Sequence, residues 1–337
     1  MTVRVCVVGC GAIGSLYAAH LARLDDVEVW AVDPYAAHVD AINAHGLMVV
    51  SRLVAGAPHT STTEKGSVVE VRGPLGPSLE TTFTATVHAT TNPADVPPCD
   101  FGIVATKAEH TRAAVAACAE VFADAAVASV QNGLGNEEVV AELVPRVIRG
   151  TILPAGAVTE PGVVRFDAPG DTWLGPFEPK PATMGEVVAL SDLLTRAGLP
   201  CHAMVDARGP QWDKVIFNSA TSPLAALTGL PVGPVCEDPA LRAEVDALVA
   251  EALEVCEALG IETAKDPAAL VEEAIEVAYH HKPSMLQDVL ARRRTEIDVL
   301  NGGIAAQGRA VGVPTPRHDA MVALVHGLER SWDEEPT

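Results

Sequence analysis

The sequence predicts an α/β protein: an N-terminal Rossmann-type, doubly wound sheet followed by an all-helical C-terminal domain. Three observations carry that expectation. A glycine motif lies between a β-branched run and a helical stretch, strand and helix signals then alternate, and every strand signal stops after about Ala207.

Taken in order, residues 3–8 (VRVCVV) read as a strand, and the glycines after them lead into a helical composition over 15–24. A second strand over 27–32 ends at Asp33, which completes a βαβ unit. A strand at 101–105, an Ala-rich helix over 111–123, a strand at 126–130 and a helix over 137–143 continue the alternation, which implies a parallel sheet covered on both faces. Residues 47–98 are rich in Thr, Pro and Gly, with strands expected at 67–72 and 82–88 and a mobile insertion at 51–65. Short strands and turns fill 150–175, a helix over 186–197 stops at Gly198, and 201–205 is the last strand. Helical apolar spacing then recurs over 211–227, 239–259, 267–280, 284–311 and 317–330. The expected domains are 1–206, binding the nucleotide, and 207–337, binding substrate.

Composition narrows the function. A chain of 337 residues that is 48% hydrophobic and 20% charged is neither disordered nor fibrous. Its 23 basic against 44 acidic residues give a net charge of −21, which disfavours nucleic acid and anionic membranes as partners. No run of 18 apolar residues exists to span a bilayer. The seven cysteines are scattered with no CxxC pair, which points to reduced thiols in the cytoplasm and to no metal cluster. His280 and His281 diverge on a helix and lack a third ligand. Apolar faces on the last helices suit either a homodimer or packing within the domain.

The motif Gly9-Cys10-Gly11-Ala12-Ile13-Gly14 matches G-x-G-x-x-G between a strand and a helix, the context in which it holds a dinucleotide pyrophosphate. Asp33 lies 19 residues past Gly14, placed to accept from a ribose 2′-hydroxyl and to repel a 2′-phosphate, so NADH is favoured over NADPH. Asp33 could equally cap the turn before Pro34. Cys10 reads as a small filler side chain.

Lys214, Asn218 and Ser222 are spaced i, i+4, i+8 and share one helical face, which is either a polar stripe in a cleft or a solvated surface. Ser284 and Gln287 fit a capping box, and Glu296 follows three arginines that could pair with it within a helix. Lys107 and Asn132 follow strands at the carboxyl edge of the sheet, where such sheets bind ligands; Asn132 would contact a nicotinamide ribose or simply turn the chain before Gly133.

With these pieces in order (GCGAIG at 9–14, TKA at 106–108, QNGLGNEE at 131–138, EPGVVRF at 160–166, WDKVIFN at 212–218 and SMLQDVLARRRTEIDVLNG at 284–302), the chain resembles the 2-dehydropantoate 2-reductase (ketopantoate reductase) family along nearly its whole length. The resemblance implies reduction of 2-dehydropantoate to (R)-pantoate by NAD(P)H, a step of pantothenate biosynthesis, with a small 2-oxo acid as partner. It implies that Lys214 is the general acid, that Asn218, Ser284 and Glu296 arrange the substrate and neighbouring ribose, and that Lys107, Asn132 and Gly156 lie on the cofactor side. Three departures bear on it. Ser222 stands at the second asparagine of the family's K-x-x-x-N-x-x-x-N stripe, Asp33 stands where NADPH users commonly carry Arg, and Val232 lies close to a position where some relatives place a substrate-contacting Asn. The alternatives are an NAD-dependent D-2-hydroxyacid dehydrogenase for another branched or aromatic 2-oxo acid and, from a different class, a non-catalytic dinucleotide-binding redox sensor.

Overall fold

The computed structural model describes residues 2–54, 67–73, 76–266, 269–272, 275 and 278–332. The chain divides into two compact units, the first comprising Met1–Gln131 and Glu137–Val205, the second Asn132–Asn136 and Asp206–Thr337.

The first unit is built on an eight-stranded sheet. Its strands are β1 (Val3–Val8), β2 (Val27–Val32), β6 (His88–Thr90), β7 (Phe101–Val104), β8 (Ala126–Ser129), β9 (Arg146–Ile152), β12 (Thr172–Pro176) and β13 (Cys201–Ala203), in the order β13-β12-β9-β8-β7-β1-β2-β6. All neighbours are parallel except β12 and β9. The strands alternate their contacts as the two-residue period demands. Val5 and Val7 of β1 enter one core with Ile103 and Ala128, while Cys6 and Val8 enter another with Val104 and Val127. Both faces of the sheet are therefore covered, and β7 and β8 read as unbroken apolar or small runs.

Helices α1 (Ala12–Leu21), α2 (Ala36–His45), α3 (Thr111–Ala117), α4 (Asn136–Leu143) and α5 (Met184–Arg196) connect these strands. Helix α5 starts at a capping box in which Thr183 and Glu186 satisfy each other's backbone N–H groups. The expected helix over 111–123 ends early, at Ala117, because the chain turns at Cys118 and buries Phe122 completely.

A second sheet of five strands joins β3 (Leu47–Val54), β4 (Ser67–Gly73), β5 (Gly76–Ala85), β10 (Ala155–Glu160) and β11 (Val163–Ala168) in the order β10-β11-β3-β5-β4. The mobile insertion expected at 51–65 is corrected at its start: Ser51 to Val54 belong to β3, which pairs antiparallel with β5 from Leu47↔Ala85 to Val54↔Ser78. The rest of that segment lies outside the described residues.

The second unit is helical. Its elements are α6 (Arg208–Thr228), α7 (Val232–Glu237), α8 (Pro239–Ala258), α9 (Ser284–Leu290), α10 (Asn301–Val311) and α11 (Pro316–Arg330). Helix α6 is its axis, contacted by α7, α8, α9 and α11. Its Val215, Ile216, Ala220 and Leu224 pack with Leu248, Val255 and Ile304. It stops at Gly229, whose φ of +75° suits only a residue free of a Cβ penalty. Asp238 caps α8 by accepting from Ala240 N and Leu241 N, and Pro239 opens the helix where no N–H is needed. Part of the helix expected over 267–280 lies outside the described residues.

The single helix expected over 284–311 is two helices. Arg292 takes a φ of +50°, and residues 291–300 form turns between α9 and α10. The capping box expected of Ser284 and Gln287 is not formed among the described residues: Pro283 holds the cap position and Gln287 Nε2 donates to Lys282 O at 2.8 Å. Apolar period alone does not show the break, because partners of this segment lie far along the chain: Glu329 of α11 binds Arg294 and Thr295.

Candidate active site

The glycine loop of the first unit has the shape its sequence requires. Gly9 has a φ of +89°, and a Cβ there would sit 2.7 Å from Thr106. A Cβ on Gly14 would lie 1.9 Å from Gly9 O, so α1 can close on β1 only with glycine at this position. A Cβ on Gly11 would meet nothing within 4 Å, which leaves open space over the start of α1. One turn, one tight packing contact and one open approach are what a pyrophosphate at a helix N-terminus needs, so these residues fit a dinucleotide. Ala12 and Ile13 supply the first turn of α1. Cys10 is 3% exposed, its side chain lies in the core, and burial followed by the nearby Asp33 charge pushes its thiol far up.

Asp33 follows β2 directly, with its carboxylate turned to this loop. Oδ2 accepts from Cys10 N at 2.7 Å, and Oδ1 accepts from Tyr35 N at 2.8 Å. Each carboxylate oxygen keeps a second lone pair for a further donor. Lys107 lies half-buried in extended backbone beyond β7. Gly156 lies on β10, where a Cβ would meet Arg165 O at 2.5 Å and Leu16 Cδ1 at 3.0 Å, so close strand and helix packing already accounts for glycine there.

The second unit gathers three of the sequence-predicted residues into one hydrogen-bonded chain. Lys214 Nζ donates to Asn132 Oδ1 at 2.7 Å, and Asn132 Nδ2 donates to Glu296 Oε2 at 3.3 Å. Burial pulls the Lys214 ammonium down to about 8, while the Glu296 charge raises it and limits the fall. The placement of Asn132 corrects its expected membership in the first domain. It belongs to the helical unit, where Leu134 N donates to Val299 O at 2.8 Å and the Leu134 side chain enters the helical core. Asn136 Nδ2 donates to Asn132 O at 2.8 Å and closes the turn.

Asn218 and Ser222 follow Lys214 along α6 at successive turns, roughly 6 Å apart in rise. Asn218 is half-buried and Ser222 is 3% exposed, so the stripe faces inward rather than forming a solvated surface. Pro223 lacks the N–H that would bond Ser219 O, and Asn301 Nδ2 takes that carbonyl at 2.9 Å. The same Nδ2 lies 3.1 Å from His318 Nδ1, and His318 Nε2 donates to Leu248 O at 3.0 Å, which makes His318 the neutral Nε2–H tautomer. Burial lowers it to about 4. Ser284 is exposed at the start of α9, which packs against α6. Val232, at the start of α7, is 1% exposed and packs in the helical core.

Glu296 lies outside the described helices, in the turns between α9 and α10, so the helical spacing expected to bring the preceding arginines to it is not present. Among the described ion pairs, Arg293 Nε meets Asp288 Oδ1 at 3.1 Å and Arg294 meets Glu329 at 2.9 Å. The residues missed from sequence are these supports, Glu329, Asn301 and His318. They lie far along the chain from what they hold, with no local motif to mark them.

Comparison with known proteins adds kinship. Residues 5–179 match the family model described as "Ketopantoate reductase PanE/ApbA", and residues 206–329 match its C-terminal counterpart. Among curated proteins, the chain is 29% identical to the 2-dehydropantoate 2-reductase of Pyrococcus horikoshii, covering 97% of each chain. It is 28% identical to that of Archaeoglobus fulgidus, covering 97% of this chain and 98% of the other. Among solved structures, the PanE/ApbA family ketopantoate reductase of Ralstonia eutropha aligns with a TM-score of 0.80 at 27% identity, over 98% of this chain and 100% of that one. A D-mandelate dehydrogenase solved with NADH and anilino(oxo)acetate shares the fold, with a TM-score of 0.81 at 24% identity over 98% and 100% of the two chains.

Proposed function

Because the chain belongs to the ketopantoate reductase PanE/ApbA family, we propose that it is an NAD(P)H-dependent oxidoreductase that reduces 2-dehydropantoate to (R)-pantoate, with Lys214 as general acid. The observation that carries this reading is the Lys214–Asn132–Glu296 chain, which holds a desolvated ammonium at a fixed point. A nicotinamide dinucleotide held by the glycine loop would supply a hydride to the ketone carbon. Negative charge then grows on the ketone oxygen, and Lys214 Nζ–H neutralises it and transfers its proton there, leaving a neutral amine that regains a proton from solvent. An ammonium lowered to about 8 is largely protonated at neutral pH yet gives up its proton more readily than an exposed lysine. Asn132 orients the amine, Glu296 keeps it charged, and Asn218 and Ser284 contribute donors for the substrate.

The residues of the glycine loop would hold the dinucleotide, and Asp33 supports NADH as the preferred form. Its carboxylate faces the loop, where it can accept from a ribose hydroxyl and would repel a 2′-phosphate. The free thiols of all seven cysteines agree with a reducing, cytoplasmic setting.

A second substrate reading rests on Ser222. This buried residue has a shorter reach than the asparagine of the family stripe, so a hydrogen bond to 2-dehydropantoate is weakened relative to another branched or aromatic 2-oxo acid. The deciding experiment is a panel of 2-oxo acids assayed with NADH and with NADPH. Highest kcat/KM for 2-dehydropantoate supports the first reading, and a large preference for another acid replaces it with the second. Dinucleotide binding with no turnover of any acid would favour the redox sensor.

A further inference from the structure

We propose that Glu329 is a positioning residue of this reduction: from the last turn of α11 it holds residues 294 and 295 so that the Glu296 carboxylate meets Asn132 and, through it, Lys214. The inference rests on the role given to Lys214 above.

Glu329 is 3% exposed, an unusual place for a carboxylate. Burying it demands donors in return. Oε1 accepts from Thr295 N at 2.8 Å and from Thr295 Oγ1 at 2.7 Å, and Oε2 accepts from Arg294 NH1 at 2.9 Å. Burial alone would raise its carboxyl, but these three donors together hold it below the ordinary carboxylate range. Every one of them comes from the two residues that precede Glu296.

The direction of the effect follows from the chain. Residues 293–295 lack helical structure, so Thr295 N has no helical acceptor of its own and takes the side chain of α11 instead. Successive Cα atoms are about 3.8 Å apart, so fixing Thr295 through both its N–H and its hydroxyl confines the start of Glu296. Glu296 then meets Asn132 Nδ2 at 3.3 Å, and Asn132 meets Lys214 Nζ at 2.7 Å. A purely structural tie between α11 and the 291–300 segment would use the same bonds, but it would change stability without touching the chemistry.

The test measures kcat, KM for each substrate, the alkaline limb of kcat and the thermal midpoint of the full chain. Glu329→Ala removes all three bonds. Glu329→Gln keeps a carbonyl for Thr295. We expect Glu329→Ala to lower kcat about tenfold or more, to leave KM for the dinucleotide within about twofold, and to move the alkaline limb to lower pH. Glu329→Gln should recover most of kcat. Combined with Glu296→Gln, Glu329→Ala should add less than about twofold, because both act through one carboxylate. A folded Glu329→Ala protein with parental kcat and limb, or one whose full loss appears on top of Glu296→Gln, overturns the proposal. If Glu329→Ala fails to fold, Thr295→Val takes its place under the same criteria, with a loss of about threefold expected. The parallel Lys214→Ala protein separates the two claims. Retained turnover there defeats the general-acid reading, whereas its loss beside an unaffected Glu329→Ala defeats only the positioning role.

Discussion

At the scale of single residues, Lys214 is asked to deliver a proton, and its removal measures how much the reaction depends on that proton. Lys214→Ala should lower kcat/KM by about 100-fold or more with dinucleotide binding retained, as read by steady-state assay and by titration of bound NADH. In the proposed mechanism the active form is the protonated one, so kcat should fall as pH rises through about 8. Glu296 raises that value, so Glu296→Gln should bring the alkaline limb to lower pH; an unmoved limb would mean that the carboxylate does not act on the amine. Asp33 allows a charge argument of the same kind. Asp33→Asn should raise the NADPH to NADH ratio of kcat/KM by about tenfold, because it removes a negative charge from beside the proposed ribose position.

At the scale of elements, α6 carries the proposed acid and contains a proline that breaks its own hydrogen-bond ladder. The gap is closed from outside, by Asn301 Nδ2 on Ser219 O. Asn301→Ala should therefore destabilise the fold by about 1–3 kcal/mol in denaturant titration, the cost of a buried carbonyl without a donor. Much of this level could be read in advance. The bounds of α6, α8 and α11 follow the apolar spacing expected over 211–227, 239–259 and 317–330. What could not be read has a common physical origin. Within the break between α9 and α10, Thr295 N finds its acceptor on Glu329 of α11, and β3 is completed by β5 and β11, which lie well along the chain. Local propensity is silent about such partners. The stripe of Lys214, Asn218 and Ser222 was legible as a face of a helix, but that it looks inward follows only from the burial of Ser222.

At the scale of the whole molecule, acid should act through histidines buried in the neutral state. Burial lowers both His20 and His318 to about 4 from 6.5. His20 Nδ1 donates to Ala197 O, and His318 Nδ1 accepts from Asn301, so a proton gained by the latter would oppose an existing donor. In that window each of these two histidines binds more protons in the unfolded chain than in the folded one. Stability present above about pH 6.5 is therefore lost as pH falls toward about 4, with each histidine contributing a slope of up to about 1.4 kcal/mol per pH unit. Urea midpoints measured between neutral pH and about pH 5 should decline accordingly, and His318→Asn should make the decline shallower.

The excursion of Asn132–Asn136 into the helical unit has a consequence for anyone dividing this gene. A carboxyl-terminal fragment expressed from codon 206 onward would be missing the amide that grips the reactive amine and the leucine that plugs its interior. Such a fragment should be recovered poorly by itself. Supplying residues 131–136 in trans, as a short peptide, is the complementation that would repair it.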